Sequence, residues 1–183
     1  LKDLMKDHGG FEHNLQALRI VDLLEHRYPA FPGLNLTCET RESMIQHSKV
    51  RDKSGIPGFD PSLAPLLESQ VVDIADSIAY DNHDLDDGLK SGILTEEQLE
   101  EVALWREARD AVKAKHPKLA PREARAPAIL FLINREVSDL LEETTRRLKA
   151  AKVSSIKDIR DAKKPLVGFS PAMEKRKAAL QTF

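Results

Sequence analysis

The sequence predicts an all-α protein. Apolar residues recur at spacings of three and four along most of the chain, which is the period of an amphipathic helix. Capping and stop signals separate these segments, and no convincing β-hairpin, internal repeat or low-complexity tract interrupts them. The chain has 183 residues, of which 41% are apolar and 32% charged. Because that is enough for a sizeable core, we expect residues 1–183 to form a single all-α domain.

Periodicity and capping signals also predict where the helices lie. The expected ranges are 11–28, 37–48, 63–87, 95–115, 121–152 and 170–183, with a helical turn over 156–162 and a polar loop over 51–62. Thr95 to Gln98 matches the capping box, and Ser170 is a good N-cap before a proline. Pro127 predicts a kink or a boundary within its helix, and Gly88 is expected to end the helix over 63–87.

Composition narrows the class of protein. The net charge is −2, from 28 Lys and Arg against 30 Asp and Glu, so no global field steers the chain to nucleic acid or membrane. No apolar run approaches the ~18 residues of a membrane span. The single cysteine, Cys38, cannot form an internal disulfide, which fits a reducing, cytoplasmic setting. The chain opens without Met and ends on Phe183 without a helix stop signal, so we expect a piece of a longer protein.

The stretch QVVDIADSIAYDNHDLDDG, residues 70–88, is rich in aspartate and contains no Lys or Arg. At ~100° per residue, one helix face carries Asp76, Tyr80 and Asp84, together with Asp73, His83 and Asp87. The opposite face carries apolar residues: Val71, Ile74, Ile78, Leu85 and Leu89. From spacing alone, a charged stripe opposite an apolar stripe favours an ordinary solvated helix face.

The chemistry of this stripe favours a functional site instead. Like charges one turn apart destabilise a helix by a few tenths of a kcal/mol per pair. Asp is also a poor helix-interior residue, and the helix dipole disfavours acids near the C-terminus. Asp76, Tyr80 and Asp84 would form a line ~12 Å long, which could hold a metal at one end and a sugar hydroxyl at the other. Because a catalytic metal needs several ligands, Asp76 would be only part of such a site.

Three segments carry a family resemblance: GGFEHNLQALRIVDLLEHRYPAFPGLNLT, ESQVVDIADSIAYDNHDLDDGL and SSIKDIRDAKKPLVGFSPAM. The first two resemble the central region of bacterial deoxyguanosine triphosphate triphosphohydrolases, which are HD-domain metal phosphohydrolases, and the third is similar to the segment that follows in that family. The resemblance covers nearly the whole chain in the family order. It implies an all-α, HD-domain-like helical bundle of which this chain is a central fragment, with the N-terminal metal-ligand helices and the C-terminal region outside it.

The resemblance assigns roles to individual residues. It implies that Asp76 binds a divalent metal such as Mg or Mn, while the family's remaining ligands, a His and a His-Asp pair, would precede this chain. Tyr80 would pack against the nucleoside sugar and Asp84 would contact its 3′-hydroxyl. His13 and Asn14 become candidate catalytic residues without a role that we can derive. Ser77 stands where related enzymes carry a lysine that binds phosphate, so that contact is in question.

The implied activity is metal-dependent hydrolysis of a deoxynucleoside triphosphate, with dGTP favoured, to the deoxynucleoside and triphosphate. The resemblance further implies a homo-oligomer, and we expect this fragment to be inactive alone. Two alternatives stay open: an HD phosphohydrolase that acts on another nucleotide, and a non-catalytic helical regulatory or assembly module. Arg19 and Arg135 are candidate phosphate contacts, although solvated arginines are the simpler interpretation.

Two further stretches leave a choice between a binding role and an ordinary surface. The basic residues 146–152 would be a solvated helix end, or a site where nucleic acid binds as a regulator, although the interleaved aromatics of such sites are missing. The charged helix over 95–115, which carries Trp105, would be an oligomer contact, a lid or a plain surface helix.

Overall fold

The computed structural model describes residues 1–46, 60 and 62–182. All regular elements within these residues are helical, so the all-α prediction is confirmed. The α-helices are α1 (His13–Arg19), α2 (Cys38–Gln46), α3 (Leu67–Ser91), α4 (Ala103–Lys115), α5 (Pro121–Ala151), α6 (Ile156–Arg160) and α7 (Pro171–Gln181). Short 3₁₀ helices cover Lys6–His8 and Gln98–Glu101, and a π-helical turn covers Ile20–Leu24.

The first helix is shorter than the predicted range 11–28. After Arg19 the chain widens into the π-helical turn and leaves helical geometry at Glu25. The cause is the following loop, which folds back and donates the Leu34 N–H to the Val21 carbonyl at 2.7 Å. The Glu25 N–H therefore bonds to the Ile20 carbonyl, at π-helical spacing, and the helix does not continue.

Helix α3 begins and ends about four residues later than predicted. Gly88, which was expected to end it, lies inside the helix, and the left-handed residue at its C-terminal end is Gly92, with φ +77°. A Cβ on residue 88 would lie 2.7 Å from Leu94 Cδ1, so the glycine is needed for the close approach of the returning chain. The prediction that Gly88 stops the helix was wrong.

The predicted caps form, but one opens a different element. The Thr95 N–H donates to Gln98 Oε1 at 2.9 Å, and the Gln98 N–H donates to Thr95 Oγ1 at 3.4 Å. This capping box precedes the 3₁₀ helix Gln98–Glu101 rather than a helix over 95–115, because α4 starts only at Ala103. At α7, Ser170 Oγ accepts the Met173 N–H at 3.2 Å, as predicted. Helix α5 runs through Pro127 as one continuous helix.

The chain forms two compact units, each with its own buried residues. The first unit comprises Leu1–Asp73 and Ser154–Lys164, and the Arg160 guanidinium there binds the Glu42 carboxylate and the Ala64 carbonyl. The second unit comprises Ile74–Val153 and Pro165–Phe183, with a core of residues from α3, α4, α5 and α7. The expectation of a single domain stays a prediction.

Three predictions fall wholly or partly outside the described residues. They concern the polar loop over 51–62, of which residues 60 and 62 are described, the end of the helix at 47–48, and Phe183. Among the helices of the described ranges, none is long and apolar enough to cross a membrane.

Candidate functional site

The acidic face of α3 is exposed, and the opposite face is buried from Ile78 onward. Tyr80 is 67% exposed, and Asp76 and Asp84 are exposed beside it, whereas Leu85 belongs to the core. The amphipathic division predicted for this part of the helix is therefore confirmed.

The N-terminal end of α3 departs from that prediction, because Val71 is exposed. The buried positions there belong to Ser69 and Gln70. Ser69 Oγ donates to Ser43 Oγ at 2.7 Å, and the Gln70 amide donates to the Pro65 carbonyl at 2.8 Å. Hydrogen bonds within the first unit therefore set the buried side of this helix end, and the apolar stripe does not.

Tyr80 and Asp84 line one cavity of about 400 Å³ in the second unit. The remaining lining residues come from α3, from the segment that follows it and from the last turn of α7: Asp81, Leu85, Leu94, Leu99, Leu180 and Gln181. Leu85, Leu99 and Leu180 are buried and supply apolar walls. A cavity with apolar walls and a few polar groups is typical of a site for a small molecule, and its volume lies in the usual range.

Asp81 was not singled out in the sequence, yet it organises the polar side of this cavity. Asp81 Oδ2 accepts hydrogen bonds from Lys177 Nζ at 2.5 Å and from Gln181 Nε2 at 2.9 Å. Both donors lie one turn apart on α7, which comes almost a hundred residues later in the chain. The carboxylate therefore fixes the Gln181 amide at the cavity, and no local sequence signal could have revealed this contact.

A buried polar cluster, formed by Lys177, Asp81, Glu136 and Asn82, lies against this side of the cavity. Glu136 is 0% exposed, and its Oε2 accepts from Lys177 Nζ at 3.1 Å and from Asn82 Nδ2 at 3.4 Å. Burial raises the pKa of the Glu136 carboxyl, and the neighbouring Lys177 opposes that rise. The cluster ties α3, α5 and α7 together beneath the candidate site.

Asp76 lies one turn before Tyr80 on the same face, and it is not among the cavity-lining residues. Its carboxylate has the donor chemistry that a hard divalent cation prefers. Within the described residues, however, no group of three His, Cys, Asp or Glu side chains is placed to hold a metal ion. Asp76 therefore has the chemistry of one metal ligand, and the described residues do not form a complete metal centre.

His13 and Asn14 belong to α1 in the first unit, whereas Asp76, Tyr80 and Asp84 belong to the second. His13 is exposed at the start of its helix. Asn14 is buried, and its Nδ2 donor has no hydrogen-bond acceptor among the described residues. A buried donor without a partner is costly, which sets Asn14 apart from an ordinary core residue.

Several of the basic side chains considered as anion contacts are engaged within the second unit. Arg135 Nε lies 3.2 Å from Glu107 Oε1. Arg146 and Arg147 both donate to Glu143, and these hydrogen bonds lower the pKa of that carboxyl to about 2.

Two other residues singled out in the sequence have simpler surroundings. Arg19 is exposed at the end of α1. Trp105 is buried within α4 and packs in the core, so its indole is not available for a contact on the surface of that helix.

Comparison with curated proteins places the chain among known sequences. It is 47% identical over its whole length to a deoxyguanosinetriphosphate triphosphohydrolase-like protein of Geobacter sulfurreducens, and covers 48% of that protein. Proteins of the same name from Geobacter metallireducens and Thiobacillus denitrificans are 41% and 44% identical, again over the whole chain. No protein-family model matches the chain.

The chain spans about half the length of these curated relatives. The resemblance identified from the sequence is confirmed. Along its whole length, the chain is similar to about half of a deoxyguanosinetriphosphate triphosphohydrolase-like protein.

Proposed function

We propose that the protein containing this chain hydrolyses a deoxynucleoside triphosphate, with dGTP favoured, to the deoxynucleoside and triphosphate. The observation that carries the proposal is the cavity shared by Tyr80 and Asp84, the two residues that the resemblance assigns to sugar recognition. The names of the curated relatives support a triphosphohydrolase at the level of the family. Preference for dGTP, dependence on a metal and a cytoplasmic location stay parts of the proposal.

The cavity suggests how the nucleoside would be held. The exposed ring of Tyr80 would offer a flat apolar surface on which the sugar packs, and that packing would favour a deoxyribose over a sugar that carries a 2′-hydroxyl. Asp84, as a carboxylate, would accept a hydrogen bond from the 3′-hydroxyl. The apolar walls would take the less polar faces of the nucleoside, while the Gln181 amide, held by Asp81, would supply a polar group at the edge.

The phosphates would extend from the sugar toward Asp76. As one ligand among several, Asp76 would hold a divalent ion such as Mg²⁺ or Mn²⁺, which when bound polarises a phosphoryl oxygen and lowers the pKa of bound water. The acidic face of α3 repels a triphosphate, so positive charge from outside this face must offset it. We therefore expect further ligands and cationic groups to come from parts of the protein outside the described residues.

A second candidate function is a helical assembly module, in which this half of the protein holds subunits together without taking part in chemistry. The exposed apolar residues of α5, among them Leu130 and Leu141, favour this alternative. An HD phosphohydrolase for another nucleotide remains the other enzyme hypothesis, with nucleic acid as a regulator in either case. The assignment of Tyr80 and Asp84 to sugar recognition argues against an enzyme that recognises the phosphates alone.

Sugar recognition is tested by comparing dGTP with its 3′-deoxy analogue, using the full-length protein and Mn²⁺. A hydrogen bond to a charged group contributes about 1.5–3 kcal/mol, so wild-type protein should prefer dGTP by roughly 10- to 100-fold in kcat/KM. Asp84→Asn should reduce that preference to a few-fold. Asp87→Asn, on the same exposed face but outside the cavity, is the matched control and should retain it. An unchanged preference in Asp84→Asn would remove Asp84 from the site.

A further inference from the structure

The buried polar cluster beneath the cavity contains two oxygen atoms that receive no hydrogen bond. Glu136 Oε1 and Asn82 Oδ1 are buried, and neither has a donor among the described residues. Both side chains are 0% exposed, so no other part of the protein and no second copy can reach these atoms without opening the core. A buried acceptor without a donor destabilises the fold, so both oxygens need a hydrogen that the ionised cluster does not supply.

The two side chains already meet through their other polar atoms. Asn82 Nδ2 lies 3.4 Å from Glu136 Oε2, and it also donates to the Ile78 carbonyl at 2.8 Å. Because that carbonyl can only accept, it fixes which end of the amide carries the nitrogen. Oε1 shares its carbon with Oε2, and Oδ1 shares its carbon with Nδ2. The two oxygens without donors therefore flank a contact that already exists.

A single proton on Glu136 would satisfy both oxygens. A protonated carboxyl has one O–H donor and keeps an acceptor, and a primary amide likewise has a donor and an acceptor. Oε1–H can then donate to Asn82 Oδ1 while Asn82 Nδ2 donates to Oε2. Such a pair is reciprocal, and it leaves neither oxygen without a hydrogen.

The charges within the cluster favour uptake of this proton. One ammonium group, that of Lys177, serves two carboxylates: its Nζ lies 2.5 Å from Asp81 Oδ2 and 3.1 Å from Glu136 Oε2. Protonation of Glu136 leaves one cation beside one anion. Burial acts in the same direction, because it raises the pKa of the Glu136 carboxyl, while Lys177 opposes that rise.

The other charged side chains that link these helices form a separate group. Glu107 of α4 pairs with Arg135 of α5 and with Arg176 of α7. Within the described residues none of the three bonds to Glu136, and the two arginine side chains are 43% and 26% exposed, so solvent screens them. Asp81 on α3 and Lys177 on α7 are therefore the charged groups that act most directly on Glu136.

We propose that Glu136 and Asn82 form a proton-binding site inside the second unit. With the proton bound, the acid and the amide make their reciprocal pair, and Lys177 serves Asp81 alone. Without it, Lys177 is shared by both carboxylates. Because Asp81 also holds the Gln181 amide at the cavity, the proton changes the charge of a cluster that supports the candidate site. The proposal does not depend on the proposed enzymatic activity, since it rests on buried atoms of the cluster.

Infrared spectroscopy of the full-length protein detects the bound proton, because the C=O band of a protonated carboxyl lies apart from carboxylate bands. We expect the band of one buried carboxyl per chain to grow as the pH falls from neutral toward 4.5, the ordinary pKa of glutamic acid. Glu136→Gln should lack this band, and Glu142→Gln, at an exposed position of the same helix, should keep it. Equal spectra for wild type and Glu136→Gln would overturn the proposal, and an internal water between the two oxygens would give that result.

Asn82→Leu tests the partner of the proton, because it replaces the amide with an apolar group of similar volume. The carboxyl of Glu136 would then lose both bonds to the amide. We expect its C=O band to move to higher frequency, as in a carboxyl with fewer hydrogen bonds. A band at the wild-type position would show that the proton does not pair with Asn82 and would overturn the proposed site.

Urea unfolding at a series of pH values gives an independent test. The amide introduced by Glu136→Gln carries an N–H donor in place of the proton, so at neutral pH the variant should be at least as stable as the wild type. A carboxyl with a raised folded pKa stabilises the fold as the pH falls through that pKa, and the gain is complete below the unfolded value. The unfolding constant of the wild type, divided by that of Glu136→Gln, should therefore fall with pH, by up to tenfold per unit for one proton.

Glu142→Gln is the matched control for this ratio. Its carboxyl is exposed, so the unfolding constant of the wild type divided by that of Glu142→Gln should stay nearly constant between neutral pH and 4.5. A ratio for Glu136→Gln that is equally independent of pH would show that folding does not favour a proton on Glu136, and it would overturn the proposal.

Discussion

Replacing Lys177 with Met removes the ammonium group that Asp81 and Glu136 share. The methionine fills most of the space of the lysine stem, so the change is chiefly electrostatic. Glu136 is fully buried, and its remaining donor is the Asn82 amide at 3.4 Å. Removing one partner of a buried ion pair typically costs about 3–5 kcal/mol, because the other charge stays buried without compensation. Against a total stability of about 5–15 kcal/mol, this loss is large.

Urea unfolding followed by circular dichroism measures the effect, with Lys175→Met as the matched control. Lys175 lies on the same helix and is exposed, so its replacement should change the free energy of unfolding by less than about 0.5 kcal/mol. The double variant Lys177→Met with Glu136→Leu also removes the fully buried carboxylate, while Asp81 keeps the hydrogen bond from the Gln181 amide, so it should be more stable than Lys177→Met alone. A Lys177→Met variant as stable as the control, or a double variant less stable than the single, would refute the reasoning.

The pH dependence of the stability of Lys177→Met tests whether the loss arises from the buried charge of Glu136. A carboxyl whose folded-state pKa is raised above its unfolded value favours folding at low pH, and that contribution is lost as the pH rises through the folded pKa. Burial already raises the pKa of Glu136, and removal of Lys177 should raise it further. The stability deficit of the variant should therefore shrink as the pH is lowered from neutral toward about 5.

Two further predictions concern the cavity wall and the ion cluster of Glu143 with Arg146 and Arg147. Gly88→Ala should push Leu94 away from α3, because the new Cβ would lie 2.7 Å from Leu94 Cδ1. We expect the free energy of unfolding in urea to fall by about 1–3 kcal/mol and deoxyguanosine to bind more weakly by calorimetry. Unchanged binding would exclude Leu94 from the site. Glu143→Gln should flatten the acid side of the stability profile: the folded pKa of Glu143 is about 2 against 4.5 unperturbed, so its contribution is present above pH 4.5 and lost as the pH falls toward 2. The exposed neighbour variant Glu142→Gln should keep the wild-type slope between pH 5 and 3.

Local patterns predicted the helices and several of their caps, because helical period and side-chain capping act over a few residues. The capping box at Thr95 and the cap at Ser170 depend on neighbours three residues away. Where the chain folds back, local signals failed. The end of the first helix depends on a loop that returns to Val21, and Gly88 is dictated by Leu94 rather than by a helix stop.

The candidate site also has one part that local patterns predict and another that depends on contacts between distant residues. The exposed face with Tyr80 and Asp84 follows from the period of α3, and it could be predicted. The contacts of Asp81 with Lys177 and Gln181 join residues almost a hundred positions apart, and neither residue type is unusual on a helix. Burial of Glu136 runs against the ordinary preference of carboxylates for solvent, so its place in the core could not be read from α5 alone.

The most direct test of the central claim is the product analysis of the full-length protein incubated with Mn²⁺ and dGTP, beside Asp76→Ala and the surface control Asp87→Ala. We predict deoxyguanosine and intact triphosphate from the wild type and from Asp87→Ala, and neither product from Asp76→Ala, with helix content equal in all three. Equal activity in Asp76→Ala would contradict the role of Asp76 and make the acidic stripe a solvated helix face. Absence of products from the wild type with all four deoxynucleoside triphosphates would contradict the proposed activity itself.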